Sequence, residues 1–358
     1  MNIISRRPSS PRPQGPLLWL ASRTEEAVKD ALAEVIAGSD DAGVDARWSR
    51  AMDEAQGLAL RPAKRIRPLL FLLGHALGRQ RFEVTPELAR LGASLELLHT
   101  FMLIHDDVAD EATLRRGAPA LHHALSPDRR GKDLAVVVGD HLFARAIEVM
   151  LEAPFPEAPA MARYVLKVCR HTAAGQYLDL ELSFAPLEEV SVFQALKVAR
   201  LKTARYGFAA PLVAGALLAD GSPELLASLD RVGTNAGLAY QLRDDLLGLF
   251  GDEQATGKSG ATDFEQKKRT FPLLAAWARA GAQERARLEH LWGEDGGRPE
   301  QLDEARALVR SCGGELATQR VVERTTRAAK RALLGIDDAT GARVALDELL
   351  TGLATRST

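Results

Sequence analysis

Two pairs of adjacent aspartates interrupt otherwise apolar helical segments of this chain. The first pair is Asp106 and Asp107, the second is Asp244 and Asp245, and leucine, isoleucine or valine lies close to each. Adjacent carboxylates in apolar surroundings repel one another and resist desolvation, so a folded chain accommodates them when cations neutralise them. An isolated acidic pair near a helix end is more often a cap or a solvated surface. Two such pairs in apolar contexts instead indicate one metal-filled cavity.

The hydrophobic period of the chain is helical, and clear strand alternation is absent. Apolar residues recur at steps of three and four residues in segments separated by glycine and proline. These segments are Thr24–Ile36, Ile66–Leu77, Pro86–Val108, Leu134–Leu151, Pro159–Ala174, Val190–Leu218, Pro223–Leu249, Phe271–Ala278 and, with breaks, Leu302–Leu349. We therefore predict an all-α protein, with a flexible N-terminal tail over residues 1–20 and a single helical domain over residues 21–358.

Composition and charge exclude several classes of protein. The chain has 358 residues, a net charge of -2 and a pI near 6.5, so it has no global attraction for nucleic acid. Its two cysteines, Cys169 and Cys312, are too few for a disulfide framework and fit a reducing compartment. No run approaches the roughly 18 apolar residues of a spanning helix. We expect a cytoplasmic globular protein with no nucleic-acid partner and no membrane span.

The spacing of the acids favours magnesium. On a helix, Asp106 and Asp110 project from one face about a turn apart, while Asp107 lies to the side. Such a face can bridge more than one cation, and Mg²⁺ is usually held by one or two carboxylates together with waters and phosphate oxygens. Gln241 lies three residues before Asp244, which gives the second segment a polar edge. A metal bound to a shared ligand would then join the two helices.

Two basic clusters match this cavity. The run Lys64-Arg65-Ile66-Arg67-Pro68 opens a helix, where backbone amides and cationic side chains together favour a diphosphate. Arg115 and Arg116 follow the first acid motif closely enough to reach the same cavity mouth. Arginine pairs phosphate oxygens in bidentate fashion. Each cluster taken alone is more often solvated surface, and the presence of the two acid motifs favours phosphate binding.

The combination of motifs resembles the trans-type polyprenyl diphosphate synthases, most closely those of short products, and these share the isoprenoid synthase fold. The resemblance runs from about Lys64 to Pro272. Its elements occur in the family's order, and they are Lys64–Pro68, His99, Asp106-Asp107-Val108-Ala109-Asp110, Arg115-Arg116, Gly139-Asp140, Lys202-Thr203, Gln241–Asp245, Gly257-Lys258 and Lys268–Pro272. The family fold is a single large helical bundle around a central active-site cavity.

The resemblance implies a reaction and a role for each motif. Isopentenyl diphosphate would condense with an allylic diphosphate (dimethylallyl, geranyl or farnesyl) after ionisation assisted by Mg²⁺, with three ions expected per active site. The implied metal ligands are Asp106, Asp110 and Asp244, while Asp107 and Asp245 would orient ligands and waters. Further implied catalytic groups are Lys202, Thr203 and Gln241. The implied substrate-binding residues are Lys64, Arg67, His99, Arg115, Arg116, Lys202, Lys258 and Lys268.

Residues before the first motif have alternative interpretations. His99 lies two turns before Asp106 and so faces the same side, which favours a diphosphate contact over a satisfied core histidine. Phe101, Met102 and Leu98 would line the wall along which the prenyl chain grows. In the family, a bulky aromatic at the fifth position before the motif limits elongation, so Phe101 resembles the synthases of the C20 product, geranylgeranyl diphosphate. The alternative is that Phe101 only packs in the core.

The second acid motif departs from the family pattern. Gly248 replaces the last aspartate of the usual five-residue motif, which removes one possible metal or water ligand. The glycine form also occurs within the family, so it does not indicate an inactive protein. Asp263 is a candidate for the missing carboxylate. Asp244 should then carry most of the metal binding of the later helix.

Other activities stay open from the sequence. Farnesyl diphosphate or a longer polyprenyl diphosphate is an alternative product. A class I terpene cyclase shares the fold and the first motif but needs a different later metal motif, which Asn235 does not begin. A noncatalytic partner subunit would usually lose at least one motif. A homodimer is expected, as is usual in the family, but the sequence identifies neither its interface, nor the pathway, nor the role of the region after Gly281.

Overall fold

The computed structural model describes residues 16–38, 44–251, 262–293 and 296–355, and most of these residues are helical. The first half of the chain forms α1 (Pro16–Ala37), α2 (Ala46–Leu60), α3 (Ile66–Arg79), α4 (Pro86–Ala109), α5 (Leu121–Leu125), α6 (Arg129–Leu151) and α7 (Ala158–Phe184). An antiparallel hairpin of two very short strands, β1 (Leu114–Arg115) and β2 (Ala118–Pro119), follows α4. The predicted all-α class is therefore confirmed, with this hairpin as an addition too short to show strand alternation in the sequence.

The second half continues with helices that close the bundle. They are α8 (Val192–Val198), a π-helix (Ala199–Ala209), α9 (Ala210–Leu218), α10 (Pro223–Phe250), α11 (Thr262–Glu265), α12 (Phe271–Trp277), α13 (Ala282–Trp292), α14 (Leu302–Ser311), α15 (Gly314–Leu334) and α16 (Ala342–Thr355). Two 3₁₀ turns lie at Leu187–Glu189 and Pro299–Gln301. None of the helices in the described ranges is long and apolar enough to cross a membrane.

Helix α4 runs through the centre of the core. Thr85 caps its first turn by accepting a hydrogen bond from the backbone N–H of Leu88 at 3.3 Å. Nearly every residue from Leu88 to Leu98 is buried, because α1, α3 and α6 pack around the helix. The helix therefore carries the first acid motif at its C-terminal end on a rigid, fully packed support.

Glycines bring α7, the π-helix and α10 unusually close together. A side-chain carbon at Gly237 of α10 would collide with the backbone of Ala204, and one at Gly175 of α7 would collide with the backbone of Lys202. Because no side chain separates the backbones at these points, polar side chains of the three helices can meet directly. The π-helix lies between the other two and contains the predicted pair Lys202 and Thr203.

The N-terminal boundary differs from the prediction. Helix α1 begins at Pro16, and Leu20 is only 3% exposed, so residues 16–20 belong to a packed helix and not to a tail. The apolar periodicity begins only at Thr24, so it does not predict the preceding residues of α1 as helical. Residues 1–15 lie outside the described residues.

Candidate active site

The acidic cluster forms where α4 ends. Asp106 and Asp107 lie in the last turn and Asp110 caps the helix, so three carboxylates meet the negative end of the helix dipole. Two lysines from distant parts of the chain offset this charge. The Nζ atom of Lys202 lies 3.4 Å from Asp106 Oδ1, and Lys268 Nζ donates to Asp110 Oδ2 at 3.1 Å. The fold thus brings two predicted substrate-binding lysines to two predicted metal ligands.

Helix α7 adds two polar residues that the sequence pattern did not single out. Gln176 donates through Nε2 to Asp106 Oδ1 at 2.9 Å, and Asp179 Oδ2 accepts from Lys202 Nζ at 2.7 Å. These two residues are three positions apart and share one face of the helix. They follow the apolar segment Pro159–Ala174, so the change from apolar to polar residues on this face was the available sequence signal.

Burial and charge act in opposite directions on the two lysines. Burial lowers the pKa of Lys202, but Asp179 and Asp106 outweigh it and leave that pKa raised. Burial likewise opposes the charged form of Lys268, whose pKa is nevertheless raised well above its ordinary value by Asp263 and other neighbouring carboxylates. Both ammonium groups therefore stay charged within a largely desolvated cavity.

Asp107 is turned away from the two lysines. Its buried carboxylate accepts from Arg115 Nε at 2.8 Å and also contacts Nη2 of the same guanidinium. Burial raises the pKa of Asp107, and Arg115 opposes that shift. This geometry fits the predicted role of Asp107 in orienting other groups. In this structure Arg115 pairs with Asp107, so its contact with a diphosphate stays a prediction.

A chain of hydrogen bonds joins the π-helix to α10. The hydroxyl of Thr203 donates to Gln241 Oε1 at 2.6 Å, and Gln241 Nε2 donates to Asp245 Oδ1 at 2.8 Å. Burial raises the pKa of Asp245 to about 8, with Asp263 and Asp244 adding to the effect. Asp245 therefore fixes the orientation of the Gln241 amide, which fits the orienting role predicted for it.

A carboxylate from α11 covers the glycine that ends the second acid motif. A side-chain carbon at Gly248 would collide with Asp263 Oδ2. Asp263 also lies near the first motif through Lys268, whose Nζ is 4.0 Å from Asp263 Oδ1. The place that a side chain at position 248 would fill therefore already holds a carboxylate.

A positively charged pocket adjoins the acidic cluster. Arg67 of α3, His99 of α4 and Arg116 of the hairpin turn form it, and the Arg67 guanidinium lies 5.1 Å from the centroid of the Tyr206 ring. Within the described ranges, Arg67 Nε, His99 Nδ1 and Arg116 Nη1 are buried and have no hydrogen-bond partner. Buried polar groups without partners cost free energy. A ligand with several acceptor oxygens would satisfy all three.

Repulsion among the cationic residues also favours an anion in this pocket. Burial lowers the pKa of His99 well below its ordinary value, and Arg67 and Arg116 add to the effect. Burial also lowers the pKa of Arg116 to about 10, with Arg65 and Arg67 contributing. His99 is therefore neutral at physiological pH, and a bound anion would relieve the repulsion among the arginines.

An internal ion pair holds the loop before α3. Arg65 is buried, with Nη1 donating to Glu96 Oε2 at 2.8 Å and Nη2 donating to the Ala59 carbonyl oxygen at 2.6 Å. Its backbone has a left-handed φ of 43°, which few arginines adopt. Arg65 thus points inward, between the exposed Lys64 and the half-buried Arg67.

The hairpin places Arg116 at its tip. Arg116 and Gly117 form the two-residue turn, with φ of 53° and 75°, and positive φ at both positions is typical of a type I′ turn. Arg61 fastens the hairpin to α2, because its Nη1 donates to the carbonyl oxygens of Arg115 at 2.7 Å and Pro119 at 3.1 Å. The hydrogen bonds of Arg61, one to each strand of the hairpin, thus stabilise the left-handed conformation of Arg116 at the turn.

The sequence of the chain matches a known family over most of its length. A model of the polyprenyl synthetase family matches residues 50–309. This chain belongs to that family. It is 35% identical over 232 residues to a short chain isoprenyl diphosphate synthase of Methanothermobacter thermautotrophicus, which covers 64% of this chain and 68% of the relative. It is 31% identical over 300 residues to a (2E,6E)-farnesyl diphosphate synthase of Mycobacterium bovis, covering 83% and 77%.

The fold agrees with this membership. A geranylgeranyl pyrophosphate synthase of Corynebacterium glutamicum, solved with isoprenyl diphosphate and magnesium, superposes with a TM-score of 0.85 at 30% identity. The superposition covers 94% of this chain and 99% of that structure. The bundle described above is therefore the isoprenoid synthase fold expected from the sequence.

Lys258 and Asp244 remain predicted functional residues of this family member. Lys258 lies outside the described residues. Asp244 lies half-buried on α10, next to Asp245. Its role as a metal ligand stays a prediction.

The predicted product wall descends from the acid motif along α4. Leu98 is fully buried, while Phe101 and Met102 are half-buried and pack against the same core cluster. These three residues lie on the part of α4 that precedes Asp106. An apolar chain attached to a diphosphate at the acid motif would therefore meet them first.

The acidic cluster suits an Mg²⁺ ion that a phosphate-bearing ligand would help to hold. Among residues 16–38, 44–251, 262–293 and 296–355, no three acidic, histidine or cysteine side chains converge closely enough to hold an ion by themselves. Mg²⁺ usually takes one or two carboxylates and completes its octahedron with waters and substrate phosphates. Separated single carboxylates on facing helices suit that mode of binding.

Proposed function

We propose that this protein is a prenyl diphosphate synthase that extends an allylic diphosphate with isopentenyl diphosphate. One observation carries the proposal: lysine-neutralised carboxylates at the end of α4 adjoin a buried arginine–histidine pocket whose donors have no partners. The carboxylates suit a diphosphate that is the leaving group and would be bound through metal ions. The arginine–histidine pocket suits a diphosphate that stays attached to its substrate.

In the acidic cluster, the chain's own residues prepare the departure of the diphosphate. Asp106, Asp110 and Asp244 would hold Mg²⁺, with three ions expected from the resemblance, and the bound metal would supply positive charge to the leaving group. Lys202 and Lys268 supply further positive charge, since both are held protonated among carboxylates. The allylic C–O bond breaks, and its electron pair leaves with the diphosphate.

The π-helix and α10 stabilise the carbocation that remains. Thr203 and Gln241 contribute fixed oxygen dipoles, and Asp245 holds the Gln241 amide in one orientation. Such prearranged dipoles are more effective in a dry apolar cavity than in water. This geometry supports roles for all three residues near the reacting carbon.

The basic pocket positions the second substrate. Isopentenyl diphosphate held by Lys64, Arg67, His99 and Arg116 would present its double bond to the allylic cation. The double bond forms the new carbon–carbon bond, and the released diphosphate accepts the proton whose loss restores a double bond. The product is five carbons longer and keeps its own diphosphate in the basic pocket.

The product that we favour is geranylgeranyl diphosphate. A half-buried aromatic ring at Phe101 supports a floor at short chain length. The relatives have different product names, including farnesyl and geranylgeranyl, so membership of the family does not choose among lengths. Farnesyl diphosphate is the alternative product.

We further propose that the protein works as a homodimer. Large apolar side chains are exposed on both α6 and α7, with Val137 57% exposed, Tyr177 65% and Phe184 89%. Apolar patches of this kind are typical of interaction surfaces. Size-exclusion chromatography with light scattering tests the proposal, and a monomer at micromolar concentration would contradict it.

Incubation with radiolabelled isopentenyl diphosphate tests the function. The protein is supplied with Mg²⁺ and, separately, with dimethylallyl, geranyl or farnesyl diphosphate, and the products are separated by chain length. We expect label in a C20 product and no incorporation after chelation of the metal. Absence of incorporation with every primer would refute the proposed function, whereas a C15 product would refute only the chain length.

A further inference from the structure

A tight turn between α11 and α12 carries Lys268 into the acidic cluster. The backbone N–H of Lys268 donates to the Asp263 carbonyl oxygen at 2.9 Å. The N–H of Lys267 donates to the Phe264 carbonyl oxygen, also at 2.9 Å. These two bonds form a Schellman motif, which has its left-handed residue at Lys267, where φ is 54°. Glycine is usual at that position because a side chain makes the conformation costly, so this turn depends on support from its surroundings.

Arg269, the residue after Lys268, supplies such support to the turn. Its Nη1 donates to the Lys267 carbonyl oxygen at 3.0 Å and to that of Trp292 at 3.2 Å. Its Nε and Nη2 both donate to the Ala185 carbonyl oxygen, at 3.1 and 2.8 Å. Ala185 caps the C-terminal end of α7 and Trp292 is the last residue of α13, so the guanidinium meets the negative ends of two helices. One side chain thus ties the turn to α7 and α13.

The same turn also contacts the end of α4. Gln266 Nε2 donates to the Asp110 carbonyl oxygen at 3.2 Å, and Lys268 Nζ donates to Asp110 Oδ2 at 3.1 Å. Phe264 is buried and packs edge-on against the ring of Trp292 at 4.8 Å. The turn therefore lies between the acid motif of α4 and the ends of α7 and α13. A change in its conformation would move the Lys268 ammonium relative to Asp110.

We propose that Arg269 is a positioning residue, which fixes the turn through the Lys267 carbonyl group and so directs the Lys268 ammonium at the acid motif. This inference rests on the proposed function, in which Lys268 supplies positive charge to the departing diphosphate. Each nitrogen atom of the Arg269 guanidinium already donates to a carbonyl oxygen, so the residue acts through Lys268 and not by contact with substrate. Loss of Arg269 should therefore lower turnover only as far as it displaces Lys268.

A double-mutant cycle between the two residues tests the proposal. The measured quantity is kcat for incorporation of isopentenyl diphosphate, with saturating substrates and Mg²⁺. We expect Lys268→Met to lower kcat about a hundredfold and Arg269→Met to lower it about tenfold. The double variant should match Lys268→Met, because Arg269 has nothing left to position. Effects that multiply to about a thousandfold would show that the residues act independently and would overturn the proposal. So would a natural kcat for Arg269→Met.

A matched arginine controls for general loosening of the bundle. Arg145 of α6 is half-buried, and its Nε donates to the Val35 carbonyl oxygen at 3.3 Å, in the last turn of α1. Arg145→Met should lower the midpoint of thermal unfolding, as Arg269→Met does, but should leave kcat unchanged. The KM for isopentenyl diphosphate should stay unchanged in both variants, since its predicted pocket is separate from the turn. If Arg145→Met lowers kcat as much as Arg269→Met, loss of stability explains the effect and the proposal is wrong.

Folding and function can be separated from the positioning role. If Arg269→Met does not fold, the cycle is repeated with Arg269→Lys, which keeps the charge but not the planar set of donors. We then expect a smaller loss of kcat that again disappears in the Lys268→Met background, and a loss that persists there overturns the proposal. Failure of the natural protein to incorporate isopentenyl diphosphate would refute the proposed function, whereas independent effects in an active protein refute only the role of Arg269.

Discussion

The acidic and basic halves of the cavity are prepared for diphosphates in opposite ways. In the acidic half, Lys202 lies close to Asp106 and Lys268 close to Asp110, so the negative charge is partly offset before any ligand binds. In the basic half, arginines repel one another around a neutral His99, and buried donors have no acceptor within the described residues. The acidic half must therefore rearrange its ion pairs around metal and ligand, whereas the basic half is preorganised for an anion alone. Damage to the first should lower turnover, and damage to the second should weaken binding.

The largest effect is expected from Asp106→Asn. The change removes a predicted metal ligand and leaves Lys202 with less negative charge nearby. Turnover should fall by about two to three orders of magnitude, since charge on the departing diphosphate is left uncompensated. Steady-state kcat with saturating substrates measures the effect. Asp45→Asn, at an exposed helix cap, is the matched control and should retain full activity; near-normal kcat for Asp106→Asn would contradict the role of the acidic half.

A smaller effect, and one of a different kind, is expected from Arg116→Lys. Lysine keeps the charge but cannot make bidentate contacts, and it lacks the planar donors of the guanidinium. The KM for isopentenyl diphosphate should rise about tenfold, equivalent to about 1.4 kcal/mol of binding, while kcat falls much less. Arg90→Lys, on the exposed side of α4, should change neither value. An effect on kcat alone would break the distinction between the halves.

The later acid motif offers a test by relocation of a carboxylate. Asp263→Ala should lower kcat about tenfold if Asp263 replaces the aspartate missing at Gly248, because one charged group near the leaving diphosphate is lost. Adding Gly248→Asp to this variant should restore part of the activity, since the new side chain enters the space that Asp263 vacates. Gly248→Asp alone should not help, because the natural Asp263 occupies that space. If the double variant is no better than Asp263→Ala, Asp263 does not compensate for the glycine.

The smallest expected effect concerns stability of the ligand-free protein. His99 has a folded pKa well below its unfolded value, so the unfolded chain alone takes up this proton as the pH falls below about 6.5. His99 should therefore reduce the free energy of unfolding by at most about 1.4 kcal/mol per pH unit in that range. Burial and four neighbouring guanidinium groups favour the neutral form of His99. The guanidinium groups belong to Arg67, Arg116, Arg115 and Arg65.

Denaturant unfolding at pH 5 and pH 8 checks this effect in the natural protein and in His99→Gln. The variant should be relatively more stable at pH 5, and the difference should shrink at pH 8. Saturating pyrophosphate should also shrink it, because an anion in the pocket favours the protonated histidine. Equal pH dependence of the two proteins would show that the basic half is not as desolvated as described.

Much of the fold follows from the sequence because helix burial leaves a periodic record. Segments such as Pro86–Val108 and Pro223–Leu249 agree closely with α4 and α10. Helix α2 left a weaker record, since its buried residues are confined to Ala55, Leu58 and Ala59, near its end. A helix that buries so little carries a mostly polar sequence, and periodicity alone does not reveal it.

Site residues could be predicted where burial of a charge costs free energy. They were harder to predict where their role depends on a partner from another helix. The adjacent carboxylates in apolar runs, such as Asp106 and Asp107, were conspicuous in the sequence, whereas Lys202 was singled out through the resemblance to the family. Gln176 and Asp179 were not, because they become functional only when α7 packs on the π-helix. The pairing of Arg115 with Asp107 depends on the strained turn of the hairpin, which no local pattern specifies.

The π-helix has a consequence for the way this chain can vary. Its wider hydrogen-bonding pattern, with the N–H of Ala210 bonded to the carbonyl oxygen of Arg205, accommodates an extra residue within one continuous run of helix. Lys202 and Thr203 are neighbours in sequence, yet one reaches α7 and the other α10. Deletion of a single residue here would leave an unbroken α-helix but turn everything beyond it by about 100°. Substitutions along this stretch thus keep its two directions of contact, whereas a change in its length does not.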